Sequence, residues 1–454
     1  VARVKVPRLQ QHWLVLLVVA FCGDAASAGE PTRWLVAPPS RHATGWGLMD
    51  IDRSLGSNRF DRAATLTGDW GGVRDPLADD YGVQLLGSYT AQVAGNPVGG
   101  LDQNVRYTHN VGVSLAVDLG KLVGLHGTYF LASASNRSGE SNSGRDIGNL
   151  YAVQQIYGGQ TTRLVQLAIG QELLEGDLEI VVGRLNGLDD FIASPLYCNA
   201  QNLAFCGNPL SIPIDISIPS YPNTNWGARA RYQPGEAYYL MAGAYNAFAP
   251  FRANRYHGVD FSWRKESGVV AIGEVGVMPD QFGEHGVFTD LPGHYKVGGY
   301  HDSEPRLVFA TGEQQRGTWG VYLGFDQMLL REGGKESSQG LTAFIAAHYA
   351  PPERNPQQIF VDAGLLYQGL IPGRDTDLLG VFVAYGQLSS AQRQAQIHAG
   401  IPPQHFETVL EINYRWNVLP WLYLQPDIQG ILNPGGAGKI DDALVLAIQF
   451  GVAL

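Results

Sequence analysis

From Val83 to Leu454 one pattern recurs: segments of about ten residues alternate apolar with small or polar side chains, and turn-forming residues separate them. In Val105–Leu119 one face carries Val105, Tyr107, Val111, Val113, Leu115, Val117 and Leu119, with His109 as its polar member. The other face carries Arg106, Thr108, Asn110, Gly112, Ser114, Ala116 and Asp118. In Trp226–Gln233, Trp226, Ala228, Ala230 and Tyr232 alternate with Gly227, Arg229, Arg231 and Gln233. In Thr408–Trp416, Leu410, Ile412, Tyr414 and Trp416 alternate with Val409, Glu411, Asn413 and Arg415. In Leu422–Gln429, Leu422, Leu424, Pro426 and Ile428 alternate with Tyr423, Gln425, Asp427 and Gln429. Leu444–Leu454 keeps Leu444, Leu446, Ile448, Phe450, Val452 and Leu454 on one face to its last residue. A period of two is that of a β-strand, whose successive side chains point to opposite faces.

A soluble sandwich alternates too, so further features decide. The non-apolar face carries mainly Gly, Ser, Ala and isolated charges, as a narrow lumen would, with few Lys/Glu pairs of the kind that cover solvated sheets. Tyr and Trp collect toward segment ends (Tyr89, Trp226, Tyr232, Trp263, Trp319, Tyr349, Trp416), where the interfacial girdles of a membrane barrel belong. Short turns such as Gln233–Glu236 alternate with longer polar loops, Asn136–Gln160, Leu188–Asn225 and Leu388–Phe406. Membrane barrels have short periplasmic turns and long external loops. The expected fold is therefore all-β: a transmembrane antiparallel barrel over residues 83–454. Marking strands by this pattern gives seventeen after Gly82, whereas a barrel with both ends in the periplasm needs an even number. Strand direction is hardest to assign in Arg252–Phe325.

The first residues read differently. Arg3, Lys5 and Arg8 precede the apolar run Trp13–Phe21, and Ala26-Ser27-Ala28 offers small residues for cleavage, so residues 1–28 form a secretory signal peptide. The run is roughly half of the ~20 residues a membrane-spanning helix needs. Cys22 follows the bulky Phe21, which does not suit a lipoprotein cleavage site, and is lost with the signal. Residues 29–82 are expected to be an N-terminal periplasmic arm, with a short helix in Trp70–Tyr81 that Pro76 interrupts.

Composition narrows the function. The formal charge of −11 becomes more negative when Arg3, Lys5, Arg8 and Asp24 leave with the signal, which excludes nucleic-acid binding through a general basic surface. Charged residues are sparse at 16% and glycines number 57, which fits many strands joined by tight turns. Cys198 and Cys206 lie close together in a polar, Pro-rich stretch; in an exported chain they are expected to form a loop disulfide. No His or further Cys stands nearby to complete a four-ligand metal site. There is no His-Glu-x-x-His motif and no Gly-x-Ser-x-Gly elbow. Gly435-Gly436-Ala437-Gly438-Lys439 fails as a phosphate loop, because Asn433 replaces its first glycine and Ile440 follows the Lys. The pairs Asp189-Asp190 and Asp441-Asp442 read as solvated carboxylates at loop and strand entrances. No catalytic residue, metal or cofactor is expected.

Several blocks resemble one family in order. They are Leu66-Thr67-Gly68-Asp69-Trp70-Gly71-Gly72-Val73-Arg74, Leu188-Asp189-Asp190-Phe191, Leu291–Tyr300 and Asp326–Glu332. In the last third they are Tyr349–Asn355, Gly369–Asp375, Glu407–Glu411, Gln425–Gln429, Asn433–Gly436 and Asp441–Leu446. Together they resemble the carbohydrate-selective porins of the OprB family, over roughly Leu66 to Leu454. The resemblance implies a barrel of sixteen strands in the bacterial outer membrane that passes sugars such as glucose. The Cys198–Cys206 loop is less general in that family. The resemblance also implies a monomer, while no interface is specified and a trimer stays open.

A sugar pore must replace water around hydroxyls without holding the solute tightly, and Arg and carboxylate groups on the lumen face supply donors and acceptors. Alternation assigns Arg106, Asp118, Arg184, Arg229, Arg231, Glu274, Asp326, Glu411, Arg415 and Asp427 to that face as pore-lining candidates. Arg229 and Arg231 stand out because they follow the long Cys-containing loop, which can fold inward. The structural alternative is that these charges pair with one another and stiffen the wall. The expected partners are outer-membrane lipids and carbohydrate solutes. Alternatives are a general or sugar-acid porin, an outer-membrane barrel hydrolase using His109, His257, His294 or His348, and a secreted soluble carbohydrate-binding protein.

Overall fold

The computed structural model describes residues 65–158, 160–207, 209–218, 221–247, 254–262, 267–279, 291–334 and 337–454. The signal-peptide expectation, most of the N-terminal arm and Trp263 lie outside the described residues. Sixteen strands form the wall: β1 (Val83–Val98), β2 (Val105–Asp118), β3 (Thr128–Gly139), β4 (Thr161–Leu173), β5 (Leu178–Leu185), β6 (Asn225–Tyr232), β7 (Tyr238–Asn246), β8 (Val269–Val277), β9 (Gly293–Leu307), β10 (Gln314–Arg331), β11 (Gly340–Tyr349), β12 (Gln357–Gln368), β13 (Leu378–Leu388), β14 (Phe406–Leu419), β15 (Leu422–Leu432) and β16 (Ala443–Ala453). Each pairs antiparallel with its sequence neighbours, and β1 pairs with β16, which closes the barrel.

The alternation reads directly onto the wall. Val105, Tyr107 and Val113 are exposed outward, whereas Thr108, Asn110 and Ser114 between them are buried inward. The same holds in β14, where Leu410, Ile412 and Trp416 are exposed and Glu411, Asn413 and Arg415 are buried. An apolar outer belt over a polar interior is what a strand wall crossing a bilayer requires. Among the described residues no helix is long and apolar enough to cross a membrane.

The sixteen strands are the number that the family resemblance implies, one fewer than the alternation marks. Two expectations are corrected. Asn136–Gly139 belongs to β3 rather than to the loop that follows, because Asn136 pairs with Val111 and Gly139 with Thr108. Pro76 does not interrupt helix α1 (Arg74–Asp79): it sits in the first turn, where a missing N–H costs no helical hydrogen bond.

The two ends of the barrel differ in their connections. One end of the barrel has tight turns, such as that between β14 and β15, whereas the other has residues 140–160 between β3 and β4 and residues 186–224 between β5 and β6. At the long-loop end Gly99 has φ +74°, and a Cβ there would lie 1.8 Å from the Asp442 carbonyl oxygen, so the β1–β2 loop can approach the start of β16 only with glycine.

The closure seam is locked from the turn end. The Leu66 amide donates to the Ala453 carbonyl at 2.8 Å. Arg74, buried in α1, donates to the carbonyls of Gly68 (3.1 Å), Leu85 (3.0 Å) and Leu454 (3.2 Å) and to Thr65 Oγ1 (2.7 Å). One guanidinium thus ties the N-terminal turn, β1 and the end of β16. Arg74→Ala is expected to lower barrel stability by about 2–3 kcal/mol, the scale of lost charged hydrogen bonds, read as an earlier urea midpoint in heat-modifiable gel mobility.

Candidate functional site

The β5–β6 loop is rich in Leu, Ile and Phe, which an exposed loop would not bury. It turns into the barrel instead. Leu188, Phe191, Ile192, Ile212, Ile216 and Ile218 pack on Tyr239, Met241, Tyr245, Ile272, Tyr300 and Tyr322 of the inner wall. Leu196, Tyr197, Ala200, Ala204 and Phe205 pack on Phe344, Phe360 and Phe382, together with Ile147, Tyr151 and Val153 of the β3–β4 loop. The two loops join each other: the Gln155 amide donates to Gln201 O (2.9 Å) and the Leu203 amide to Ala152 O (2.8 Å). Cys198 and Cys206 are bonded to each other within this inward segment, with Cα atoms 4.4 Å apart.

Loops inside a barrel carry backbone N–H groups with no ladder to join, and each needs an acceptor. Wall carboxylates supply them. Glu411 accepts the amides of Gln201 (2.6 Å) and Asn202 (2.9 Å), one on each oxygen. Glu407 accepts from Leu150 (2.8 Å), Tyr151 (3.1 Å) and Gly435 (2.8 Å). Glu274 accepts from the Ile192 amide (2.6 Å) and from the hydroxyls of Tyr239 (2.6 Å) and Tyr322 (3.0 Å). Asp302 accepts the Ser217 amide at 3.0 Å. The relation also runs in reverse, since Asp215 of the loop accepts the Gln357 amide of β12 at 2.8 Å. Amide side chains finish the attachment: Gln201 Nε2 donates to Gln425 O (2.7 Å), and Asn413 Nδ2 and Gln425 Nε2 donate to Asn199 O (2.9 and 2.7 Å).

The ten sequence candidates separate accordingly. Glu274 and Glu411 hold loop backbone. Arg106 pairs with Asp146 (2.8 Å) and Glu140 (2.5 Å) of the β3–β4 loop. Asp326 is paired with Lys296 at 3.5 Å, and Lys296 in turn donates to Ala193 O of the β5–β6 loop at 2.5 Å. Arg415 binds Gln425 Oε1 (3.2 Å) and lies over the Tyr423 ring (4.5 Å), and Asp427 accepts from Gln429 (2.7 Å). Asp118 caps the short helix Leu119–Val123 at the turn end, accepting from the amides of Gly120 (2.8 Å) and Lys121 (3.1 Å).

Arg184 requires a correction. It pairs directly with Trp226, and directly paired residues point to one face. That face is the outer one, opposite to Arg229 and Arg231. There Arg184 donates to Thr224 O (3.1 Å) and Asp260 O (2.7 Å).

Arg229 and Arg231 are brought together with Glu179, which sequence reasoning missed, and with Asp190, which is ion-paired and largely buried rather than solvated as expected. Arg229 pairs with Glu179 of β5 and with Asp190 at the start of the β5–β6 loop (2.7 Å). Tyr129 of β3 donates to Glu179, and Arg231 lies over the Tyr239 ring at 4.6 Å. The Arg229, Glu179 and Asp190 side chains keep 14%, 16% and 21% of their exposure, so this cluster meets solvent while most charged wall residues do not. Its signal in the sequence was register: Glu179 lies opposite Arg231, and Val181 opposite Arg229. Among the described residues no group of three or more His, Cys, Asp or Glu side chains is placed to hold a metal ion.

Two loop carboxylates differ in titration. The Arg106 hydrogen bond holds Asp146 below its ordinary 3.8. Its contribution is therefore complete at neutral pH and is lost only as the pH falls through that lowered value. Burial pushes Asp190 up to about 6 despite Arg229 beside it. The folded state gains from its protonation as the pH falls from about 6 toward 4, and the Arg229 contact then loses its ionic character.

Glu411→Ala is expected to leave two loop amides without an acceptor and to shift the docked-to-undocked ratio of the Gln201–Asn202 sector of the β5–β6 loop by roughly ten- to a hundred-fold, the equivalent of about 1.5–3 kcal/mol. Single-channel recording in planar bilayers should show larger, noisier conductance, with Glu411→Gln intermediate. Wild-type channels should shift toward anion selectivity as the pH falls through about 6, read from reversal potentials in a salt gradient. Asp190→Asn should abolish that transition.

Comparison with known proteins agrees with this architecture. Residues 102–454 match the family described as carbohydrate-selective porin, OprB family. The chain is 28% identical over 418 residues to Porin B of Pseudomonas aeruginosa, covering 85% of this chain and 90% of that protein. The high-pH structure of Pseudomonas putida OprB superposes with a TM-score of 0.79 at 27% identity, over 86% of this chain and 98% of that one. The low-pH structure of the same protein shares the fold at a TM-score of 0.57 and 21% identity, with the same coverage. The even, closed antiparallel barrel, its polar interior and a family match over most of its length lead to one assignment: this chain is an outer-membrane barrel that belongs to the carbohydrate-selective porin, OprB family.

Proposed function

We propose that the chain is a passive pore for neutral, glucose-like monosaccharides, and that Arg229, Arg231, Glu179 and Asp190 contact the solute. The observation that carries this reading is the cluster itself. Two guanidiniums and two carboxylates converge beside the inward loop with charges of both signs, and three of the four side chains reach solvent. Such a set offers hydrogen-bond donors and acceptors in alternation, as a ring of hydroxyls requires. With its charges largely balanced, it favours no ion of one sign. Tyr129 and Tyr239 are buried behind the cluster, where Tyr129 donates to Glu179 and Tyr239 lies under Arg231 and holds it in place. The remaining candidates support the pore indirectly, by holding the loops that narrow it. The family description, carbohydrate-selective porin, supports the same reading. The protein is proposed to act as a monomer.

The test is solute flux through purified protein in liposomes, comparing glucose with a sugar acid and an amino acid of similar size. Glucose should enter fastest, and ion conductance should fall as glucose is added. The Arg229→Ala, Arg231→Ala double variant should lose several-fold in glucose preference. Unchanged flux and selectivity would remove both arginines from the site, and equal uptake of all three solutes by the wild type would favour a general porin.

A further inference from the structure

On the outer end of β9 and β10, away from the lumen, a cavity of about 270 Å³ is lined by His301, Arg316, Trp319, Glu353 and Arg354. It arises from a step in the wall. β11 ends at Tyr349, which pairs with Val321, while the β9–β10 hairpin continues to Gln314. The stretch of β10 beyond Val321 therefore runs past the end of its β11 partner. Arg354, in the turn between β11 and β12, covers that edge by donating to the carbonyls of Arg316 (3.0 Å) and Gly317. The hairpin shifts register between Arg316 and Thr318. Gly317 has φ +90°, and a Cβ on it would lie 3.3 Å from His301 Nε2, so glycine leaves the imidazole its place. Arg316 reaches Ser303 O on the same side at 3.4 Å.

The height of this cavity decides what it meets. His301 pairs with Trp319, and Trp319 stacks toward Tyr349 with ring centroids 6.1 Å apart. Both rings are exposed, and below them the outward face is apolar through Val321, Phe325 and Ile345. Aromatic residues at that level mark the boundary between acyl chains and headgroups. Two guanidiniums thus stand immediately above the boundary and an imidazole stands at it, on the lipid side, in a chain whose formal charge is −11. Arginine forks match phosphate oxygens, and the exposed Glu353 carboxylate on the rim can accept from a sugar hydroxyl.

We propose that this cavity binds the phosphate of a phosphorylated glycolipid in the outer leaflet. It is a lipid site on the outside of the wall, separate from solute passage. The probe is a bisphosphorylated lipid A, offered to the full-length protein in detergent micelles and followed by native mass spectrometry, beside the same lipid with its phosphates removed and beside inorganic phosphate. The phosphorylated lipid should be retained at least tenfold better than its dephosphorylated form, and inorganic phosphate should not displace it at equal concentration. Arg316→Glu with His301→Ala should lower retention about tenfold and leave glucose flux unchanged, whereas Arg393→Glu, in the β13–β14 loop, should have no effect. Because the comparison of the two lipids uses the wild-type protein, it holds even if the double variant folds poorly. Equal retention of the two lipids, or retention unchanged in a folded double variant, would overturn the proposal. Displacement by inorganic phosphate at equal concentration would also overturn it, in favour of a site for free anions.

Discussion

Every backbone amide and carbonyl that enters the bilayer must find its partner inside the protein, because hydrocarbon offers none. The closed wall is one answer to that constraint, with β1 returned to β16 and no edge left open. The inward loops pose the same problem again on the other side of the wall. Residues of the β3–β4 and β5–β6 loops leave the ladder and run through the lumen, where packing excludes most water. Glu274, Asp302, Glu407 and Glu411 answer it by accepting loop amides. A carboxylate buried alone would be costly, but one that accepts two or three N–H groups is satisfied and fixes the loop it binds. These carboxylates of the wall therefore serve as acceptors for the backbone of the inward loops.

Apolar contact and polar attachment divide the work. The loop side chains Phe191, Ile212, Phe205 and Tyr197 fill the lumen against wall aromatics, which supplies the drive to fold inward. That contact is not directional, and alone it would leave the loop free to slide. The carboxylate–amide pairs are directional, so they set where each turn of the loop stops. Inward folding thus turns a wide barrel into a narrow passage without adding strands.

The fold was legible because its signal repeats. Alternation in β2, β14, β15 and β16 named inner and outer faces correctly, residue by residue. The site was less legible for two reasons. First, alternation tells which face a side chain takes and not what stands in front of it: Glu411 and Arg229 share the inner face, yet one meets loop amides and the other solvent. Second, face assignment fails with a single-residue error. Arg184 was placed with Arg229 and Arg231, but its partner Trp226 belongs to the opposite face. Glu407 and Asp302 escaped notice because nothing in their local sequence distinguishes an acceptor for a distant loop from a solvated carboxylate. Only the fold brings Leu150 to Glu407 or Ser217 to Asp302.

The distribution of these attachments decides how the passage can respond. The β5–β6 loop is held on β8 through Glu274, on β9 through Asp302 and Lys296, on β12 through Gln357, on β14 through Glu411 and on β15 through Gln425. These strands span half of the circumference. A loop fastened at points so far apart cannot swing away as a lid about one hinge, since releasing one anchor leaves the others in place. Loss of any single anchor frees a sector of the loop and widens the passage locally. The geometry therefore favours an aperture graded by individual contacts over a gate with two positions. Arg229 and Asp190 lie where the loop leaves β5, at the edge of this fastened region, so this half-buried contact has more freedom to adjust than the buried carboxylate–amide anchors.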